Sequence, residues 1–512
     1  MTVESKGPAR CVAVLGTASD VGKSTVVTAL CRVLSDLGVR VTPFKAQNMS
    51  NNSFVTLEGG EIGRAQAAQA EAARLEPHVD MNPVLLKPGS DTNAQVVLLG
   101  KPVGETSARA YGEAAPRLAG EALSSLERLR LAYDCVVVEG AGSCAEVNLA
   151  EHDFVNFRVA RAADAPVILV ADIDRGGVFA QIVGTLEVLK QEDRDRIKGF
   201  IINRFRGDPS LFDKGIAFLE RRTGRPVLGL LPYLHDLGID AEDAVELEPR
   251  TDRADALGSD DKVRIAVLRF PHISNFTDFS PLEAEPAVRL DYLSRPRSLH
   301  GYDLVLLPGT KNVRGDLEWL QAAGWAPRIR EHVAAGKTLG GVCGGYQMLG
   351  KSIHDPLGVE GPAGFTDGLG LLDVRTEIGP EKILTRVQGV WLDGGERVTG
   401  YEIHQGRTER SAEDRAFVHV VTRNGAPADD FDGARSNDGR VWGTYLHGLF
   451  DEDGFRRRFL CRLRPDLADL LDREGGTSAR ERRERGYQKL AEVFRASVDM
   501  DALLAIIGLP AR

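Results

Sequence analysis

The 512 residues, at about 150 per domain, suggest about three domains or two large α/β domains. With 43% hydrophobic and 27% charged residues, the chain has material for more than one core, which excludes disordered, collagen-like and small stapled scaffolds. Its 64 Lys plus Arg against 74 Asp plus Glu give a formal charge of -10, so no global field favours nucleic acid, and anions must be held by local cations or backbone amides.

Six cysteines are spread along the chain without a CxxC pair or a leader-like start, as in a reducing cytoplasm. No apolar run approaches the ~20 residues needed to span a bilayer. A cytoplasmic, unanchored protein is expected, with no nucleic-acid or membrane partner; a homo-oligomer is compatible with the sequence.

In chain order, residues 11–15 form a short apolar strand and a glycine-containing turn follows. Val26, Val27, Leu30, Val33, Leu34 and Leu37 then keep helical spacing up to Gly38. The turn, Gly16-Thr17-Ala18-Ser19-Asp20-Val21-Gly22-Lys23-Ser24-Thr25, reads as a phosphate loop. Its amides face phosphate oxygens, Lys23 adds a point charge and Ser24 offers a hydroxyl to Mg²⁺. The spacing between Gly16 and Gly22 is one residue longer than usual.

Buried-strand candidates continue at 39–44, 135–138, 167–171, 199–202 and 227–231, separated by helical stretches. This alternation predicts a mainly parallel, doubly wound α/β sheet. Glu139 ends the third of these strands in CVVVEGAGSCAEVNL, where a metal-binding acid belongs, and Glu146 is a second acid in the same loop.

Residues 244–261 are polar and charge-dense, as in a linker, and place a boundary near 255 between domains at 1–250 and 262–512. A second α/β series starts at 264–268 and continues through 304–307, 338–342 and 442–446. From Phe455 onward, amphipathic helices are expected to pack on this second domain. Around Cys343, LGGVCGGYQML describes a strand, a sharp turn and a helix, in which small neighbours permit a strained nucleophile elbow. The helix start favours a thiolate, and the Gly344 N–H becomes an oxyanion donor. His447, in VWGTYLHGLF, is the candidate acid/base, and the LPGT loop containing Gly309 is a candidate second oxyanion donor. Cys11, Cys31 and Cys135 read as small buried hydrophobes.

The second half resembles class I glutamine amidotransferase domains: GGVCGGYQ matches their elbow, LPGT their oxyanion strand and YLHG their histidine. That likeness adds Gln347 to the glutamine-binding candidates. The first half resembles dethiobiotin synthetase-like ATPases, whose P-loop NTPase-type domain carries this longer loop spacing. In them an Asn at a late strand end reads adenine, which falls here on Asn203. ATP binding is then implied for Gly16, Thr17, Gly22, Lys23, Ser24, Thr25 and Asn203, and metal binding for Ser24, Glu139 and Glu146.

The pairing of these halves is similar to the cobalamin-pathway glutamine amidotransferases, as are FKAQNMSNNS, LLKPGSDTNAQVVLLGKP, ADIDRGGVFA and GYEIHQGRT. Members that make the a,c-diamide would show an aspartate just after the Phe-Lys pair. Asparagines stand there, which points to the branch that amidates the b, d, e and g carboxylates of a corrinoid a,c-diamide. The resemblance implies ATP, Mg²⁺, glutamine and a corrinoid as ligands, with Lys45, Asn48, Asn51, Asn52, Lys87 and Asp91 facing substrate. Leu449 stands where many class I members place a glutamate, implying a Cys343–His447 dyad. Two alternatives stay open: the same chemistry on a related acid, and a nucleotide-switched binding protein with a dead glutaminase.

Overall fold

The computed structural model describes residues 8–89, 93–148, 153–234, 237–239, 247, 262–411, 415–473 and 477–510. Nearly all of the expected linker, and Asp91, therefore lie outside the described residues.

The first half is built on a six-stranded parallel sheet in the order Val227–Pro232, Ile197–Phe205, Val167–Asp172, Arg10–Gly16, Cys135–Glu139, Val41–Phe44. Runs such as VILVAD and CVVVE are apolar on both faces because helices cover both sides of a parallel sheet. The strand Arg10–Gly16 lies centrally, with its neighbours reached in opposite directions along the sheet. That places a crevice beyond its carboxyl end, where α/β sheets bind ligands. A four-stranded sheet, Gln47–Met49, Val84–Pro88, Asn93–Leu98 and Lys101–Ser107, is inserted beside it.

The second half has a six-stranded sheet in the order Val288–Leu293, Val263–Leu268, Leu304–Leu307, Thr338–Val342, Val441–Thr444, Ala434–Arg435. Its first five strands are parallel and the last is antiparallel. A seven-stranded sheet stands against it, dominated by the long antiparallel pair Val374–Trp391 and Arg397–Arg410.

One expectation for the C-terminal helices fails. The helix Asp453–Leu463 does pack in the second core, through Phe455, Phe459 and Leu460. The helices Ala479–Ser497 and Met500–Ile507 return to the first half instead. There Leu490, Phe494, Leu503 and Ile507 share a core with Val12, Val14, Val27 and Leu30. An amphipathic pattern shows that a helix face is buried, not which half buries it.

The two halves meet over a polar interface. Lys382 reaches Glu61, the Ser53 N–H donates to Asn275 Oδ1 (2.9 Å), and Arg386 Nε donates to the Val55 carbonyl (2.9 Å). Val55, Leu384, Tyr401 and Ile403 form a small apolar cluster across it.

Candidate active site

The phosphate loop sits where its residues predict, between the strand Arg10–Gly16 and the helix Lys23–Asp36. Gly22 precedes the helix with φ +90°, and a Cβ there would meet Asn203 Nδ2 at 2.0 Å, so glycine is required on both counts. Lys23 Nζ donates to the Ala18 and Gly142 carbonyls (3.1 and 2.8 Å), which holds the ammonium inside the loop. The Thr17 N–H is spent on the Val170 carbonyl, and its hydroxyl donates to Gln181 Oε1 (3.2 Å). Thr25 lies on the first helical turn, partly buried.

Glu139 is fully buried at the end of its strand and accepts from Ser24 Oγ (2.8 Å), Lys45 Nζ (2.7 Å) and Gln69 Nε2. A hydroxyl and a carboxylate in contact beside the loop lysine are hard oxygen donors. A cation that takes two protein ligands and completes its shell from phosphate and water fits there, as Mg²⁺ does. Among the described residues no cluster of three His, Cys, Asp or Glu competes for a metal.

The other candidate residues are more widely spread. Glu146 is exposed and makes no contact with Ser24 or Glu139, because its loop turns outward after Cys144. Asn203 donates Nδ2 to the Val21 carbonyl (2.9 Å), which ties the strand end to the phosphate loop. Lys87 is buried, pairs with Glu61 (2.6 Å) and lines the cavity of Cys343. Lys45 belongs to the Glu139 site, Asn48 donates to Gln66 Oε1 (3.0 Å), and Asn51 Nδ2 donates to the Pro88 carbonyl (3.2 Å). The carbonyl of buried Asn52 accepts the Arg64 N–H.

In the second half Cys343 has φ +52° and ψ −110°, a strained conformation for a residue with a Cβ and the geometry of an elbow. A Cβ on Gly345 would lie 2.0 Å from the Leu307 carbonyl, so only glycine lets the following helix, Gly344–Leu349, approach the strand. The Gly309–Thr310 segment faces the elbow: the Cβ position of Gly344 is 3.2 Å from Thr310 N, and that of Gly309 is 3.1 Å from His447 Cε1. Gln347 donates Nε2 to the Gln405 carbonyl and to Tyr445 Oη, both at 3.1 Å.

His447 is 1% exposed and hydrogen-bonds through Nδ1 to Asp278 Oδ2 (2.7 Å), while the Gly448 N–H donates to Asp278 Oδ1 (2.9 Å). The expected dyad is therefore completed by an acid from another part of the chain, on the short helix Phe276–Phe279. Burial alone would push the imidazole down. Asp278 and Cys343 outweigh it and hold His447 up at about 10.

The GYEIHQGRT segment forms the opposite wall. Ile403 O accepts from Cys343 Sγ (3.4 Å), the Tyr401 ring stacks on His447 at 5.5 Å, and His404 stacks on Tyr445 at 3.6 Å. Burial depresses His404 to about 3, so it is a neutral wall and not a second acid/base. Cys343, His447, Ile403 and His404 line a cavity of about 40 Å³ that also touches Lys87, Lys311, Glu360 and Lys382. Burial pushes up the thiols of Cys11, Cys31 and Cys135, in keeping with small core residues.

Residues 12–245 match the CobQ/CobB/MinD/ParA nucleotide binding domain, and residues 264–455 the CobB/CobQ-like glutamine amidotransferase domain. A protein of Pelodictyon phaeoclathratiforme named cobyric acid synthase is 53% identical over 505 residues, 99% of each chain. Cobyric acid synthases of Chlorobium phaeobacteroides and Chlorobaculum tepidum are each 54% identical; they cover 98% and 97% of this chain and 97% and 98% of their own lengths. A nucleotide-binding half, a glutamine amidotransferase half and end-to-end similarity agree: the chain belongs to the cobyric acid synthase family of glutamine amidotransferase ligases.

Proposed function

We propose that the protein amidates the b, d, e and g side-chain carboxylates of adenosylcobyrinic acid a,c-diamide, giving adenosylcobyric acid, with ATP as activator and glutamine as ammonia donor. The observation that carries this reading is the Cys343–His447 pair in a cavity that Lys87 of the nucleotide-binding half also lines, with Asp278 bonded to the far side of the histidine.

A free carboxylate is a poor acyl donor. Transfer of the ATP γ-phosphoryl to its oxygen gives an acyl phosphate and ADP, and ammonia then displaces phosphate to leave the amide. Lys23 and the loop amides hold the triphosphate, and Lys45, at hydrogen-bond distance from Glu139, adds a second cation. Mg²⁺, held by Ser24 and Glu139, would neutralise charge on the phosphates.

In the second half the Cys343 thiolate attacks the side-chain carbonyl of glutamine. His447, fixed by Asp278 in the tautomer that presents Nε2, gives a proton to the departing ammonia and takes one from the water that cleaves the thioester. The Gly344 N–H, with the Gly309–Thr310 segment, faces the developing oxyanion. Glu360 and Lys311, on the same cavity wall, match the α-ammonium and α-carboxylate of glutamine.

The test incubates the protein with glutamine, Mg-ATP and cobyrinic acid a,c-diamide and follows glutamate, ADP and corrinoid mass together. Wild type forms all three products. Cys343→Ala loses the glutamine-driven reaction and keeps the one driven by ammonium chloride. Loss of both, or no amide from wild type, refutes the assignment.

A further inference from the structure

Between the two sites runs a row of buried polar groups. It begins at the wall of the Cys343 cavity, which both Lys87 and Lys382 line. Lys382, from the glutaminase half, donates to Glu61 Oε2 (2.5 Å) and Gln95 Oε1 (3.2 Å). Lys87, from the nucleotide half, donates to Glu61 Oε1 (2.6 Å) and Ser53 Oγ (2.8 Å). Glu61 has no exposed surface, so this ion cluster closes the cavity on its nucleotide side.

Glu61 opens the three-residue strand Glu61–Gly63 that leads directly into the helix Arg64–Ala72. Gln66 and Gln69, three residues apart, share one face of that helix, and both are fully buried. Gln69 Nε2 donates to Glu139, so the row ends at the phosphate site. From Glu61 to Gln69 it spans roughly 15 Å of backbone.

Two atoms on this face have no hydrogen-bond partner among the described residues: Gln66 Nε2, a donor, and Gln69 Oε1, an acceptor. Each such orphan costs about 1–3 kcal/mol, so a pair on successive turns calls for a guest. Ammonia has one lone pair and three N–H bonds. It can accept from Gln66 and donate to Gln69, whereas ammonium has no lone pair to offer and would first meet two lysine ammonium groups.

We propose that the Lys382–Glu61–Lys87 cluster gates a route for neutral ammonia, whose next stations are Gln66 and Gln69 and whose exit lies beside Lys45 and Glu139. The proposal rests on the amidation reading above. For a molecule to leave the cavity toward the nucleotide half, the ion pair between Lys382 and Glu61 must part. Burial pushes the Lys382 ammonium down in spite of Glu61, the direction in which its charge, and with it the pair, is more easily lost. Burial would raise Glu61, but Lys382 and Lys87 hold it far below the usual carboxylate range, so the carboxylate stays charged as the fixed post.

Lys382→Met tests the gate, because it removes the charge from the glutaminase side and leaves Glu61 paired with Lys87. Full-length wild type and variant receive glutamine, Mg-ATP and cobyrinic acid a,c-diamide. Glutamate, free ammonia and corrinoid amide are measured together, with ammonium chloride replacing glutamine in a parallel arm. Wild type should release about one glutamate per amide, and the variant about fivefold more, with ammonium-driven amidation within about twofold of wild type. A ratio that stays near one overturns the gate. No ammonium-driven amidation by wild type overturns the amidation reading itself, whatever the variant does. If Lys382→Met loses both arms and its Tm falls, Gln66→Leu decides: a raised glutamate-to-amide ratio supports the route and an unchanged one overturns it.

Discussion

Asp278→Asn isolates the group bonded to His447, the proposed acid/base. The carboxylate lies 2.7 Å from His447 Nδ1, and the two side chains are 4% and 1% exposed. At an effective dielectric constant of about 20, that separation corresponds to about 6 kcal/mol of attraction for the imidazolium. Asparagine keeps the shape but offers one oxygen where two are used. Either the imidazole N–H or the Gly448 N–H then faces an amide donor. Loss of charge and of the correct tautomer together should lower glutamine-driven kcat by about 10³-fold, or about 4 kcal/mol. Amidation driven by ammonium chloride should stay within about twofold, since Asp278 lies outside the nucleotide half.

The same substitution has a pH signature. His447 is raised from an ordinary value of 6.5 to about 10, so the stability contributed by its charge is complete below 6.5 and is lost as pH rises through about 10. The alkaline limb of glutaminase kcat/KM should therefore fall near pH 10 in wild type. Without the Asp278 charge, burial is opposed by Cys343 alone and the limb should move to lower pH. Glutamate release across pH 6–11, with and without the substitution, measures both effects. A variant within about threefold of wild type, with its alkaline limb unmoved, would refute the orienting role.

Lys23→Ala should reduce ADP formation by about 10²-fold or more in both the glutamine and ammonium arms and leave glutamate release nearly intact, since it removes only the charge inside the phosphate loop. Gly345→Ala would drive a Cβ to 2.0 Å from the Leu307 carbonyl, so the elbow must shift. Glutaminase activity should be lost while ammonium-driven amidation survives. Phe494→Ala empties a fully buried position under the first sheet and should cost about 3–5 kcal/mol. The nucleotide half should then melt about 10 °C earlier, and unfolding should be followed with ATP binding.

What the sequence disclosed, it disclosed locally. The phosphate loop and the Cys343 elbow are each contiguous, and their backbones are dictated by the glycines beside them. Asp278 stands 169 positions before His447, in a segment without helical or strand periodicity, and nothing in NFTDFS marks it as a partner for YLHG. Lys382 and Glu61 are 321 positions apart, and each alone reads as a solvated charge. Glu146 failed for the opposite reason: it shares a contiguous motif with Glu139, but the chain turns away from the sheet after Cys144 and leaves it exposed. GYEIHQGRT served only as a marker of resemblance, although it supplies the wall opposite Cys343. Its alternation fits a strand, while its catalytic placement depends on pairing with Leu446–His447.

The return of the C-terminal helix to the first half bears on how the two sites stay in register. The helix Ala479–Ser497 touches the phosphate-loop helix through the Arg32–Glu484 pair (2.7 Å). It reaches the helix that carries Gln66 and Gln69 through Tyr487 Oη and Glu71 (3.0 Å), and Arg483 pairs with Asp451 (2.9 Å), four residues beyond His447. Ion pairs of this partly exposed kind contribute about 0–1 kcal/mol each, so they do not hold the helix down. The buried Leu490, Ala491 and Phe494 do that, against the first sheet. With its position fixed by packing, the polar contacts act as distance constraints that tie the loop binding phosphate, the helix between the sites and the turn after the catalytic histidine to one rigid element. Transfer of a molecule as small as ammonia over roughly 15 Å tolerates little slack between its two ends. A helix anchored in one half and braced against the other supplies that constraint without adding a residue to either site.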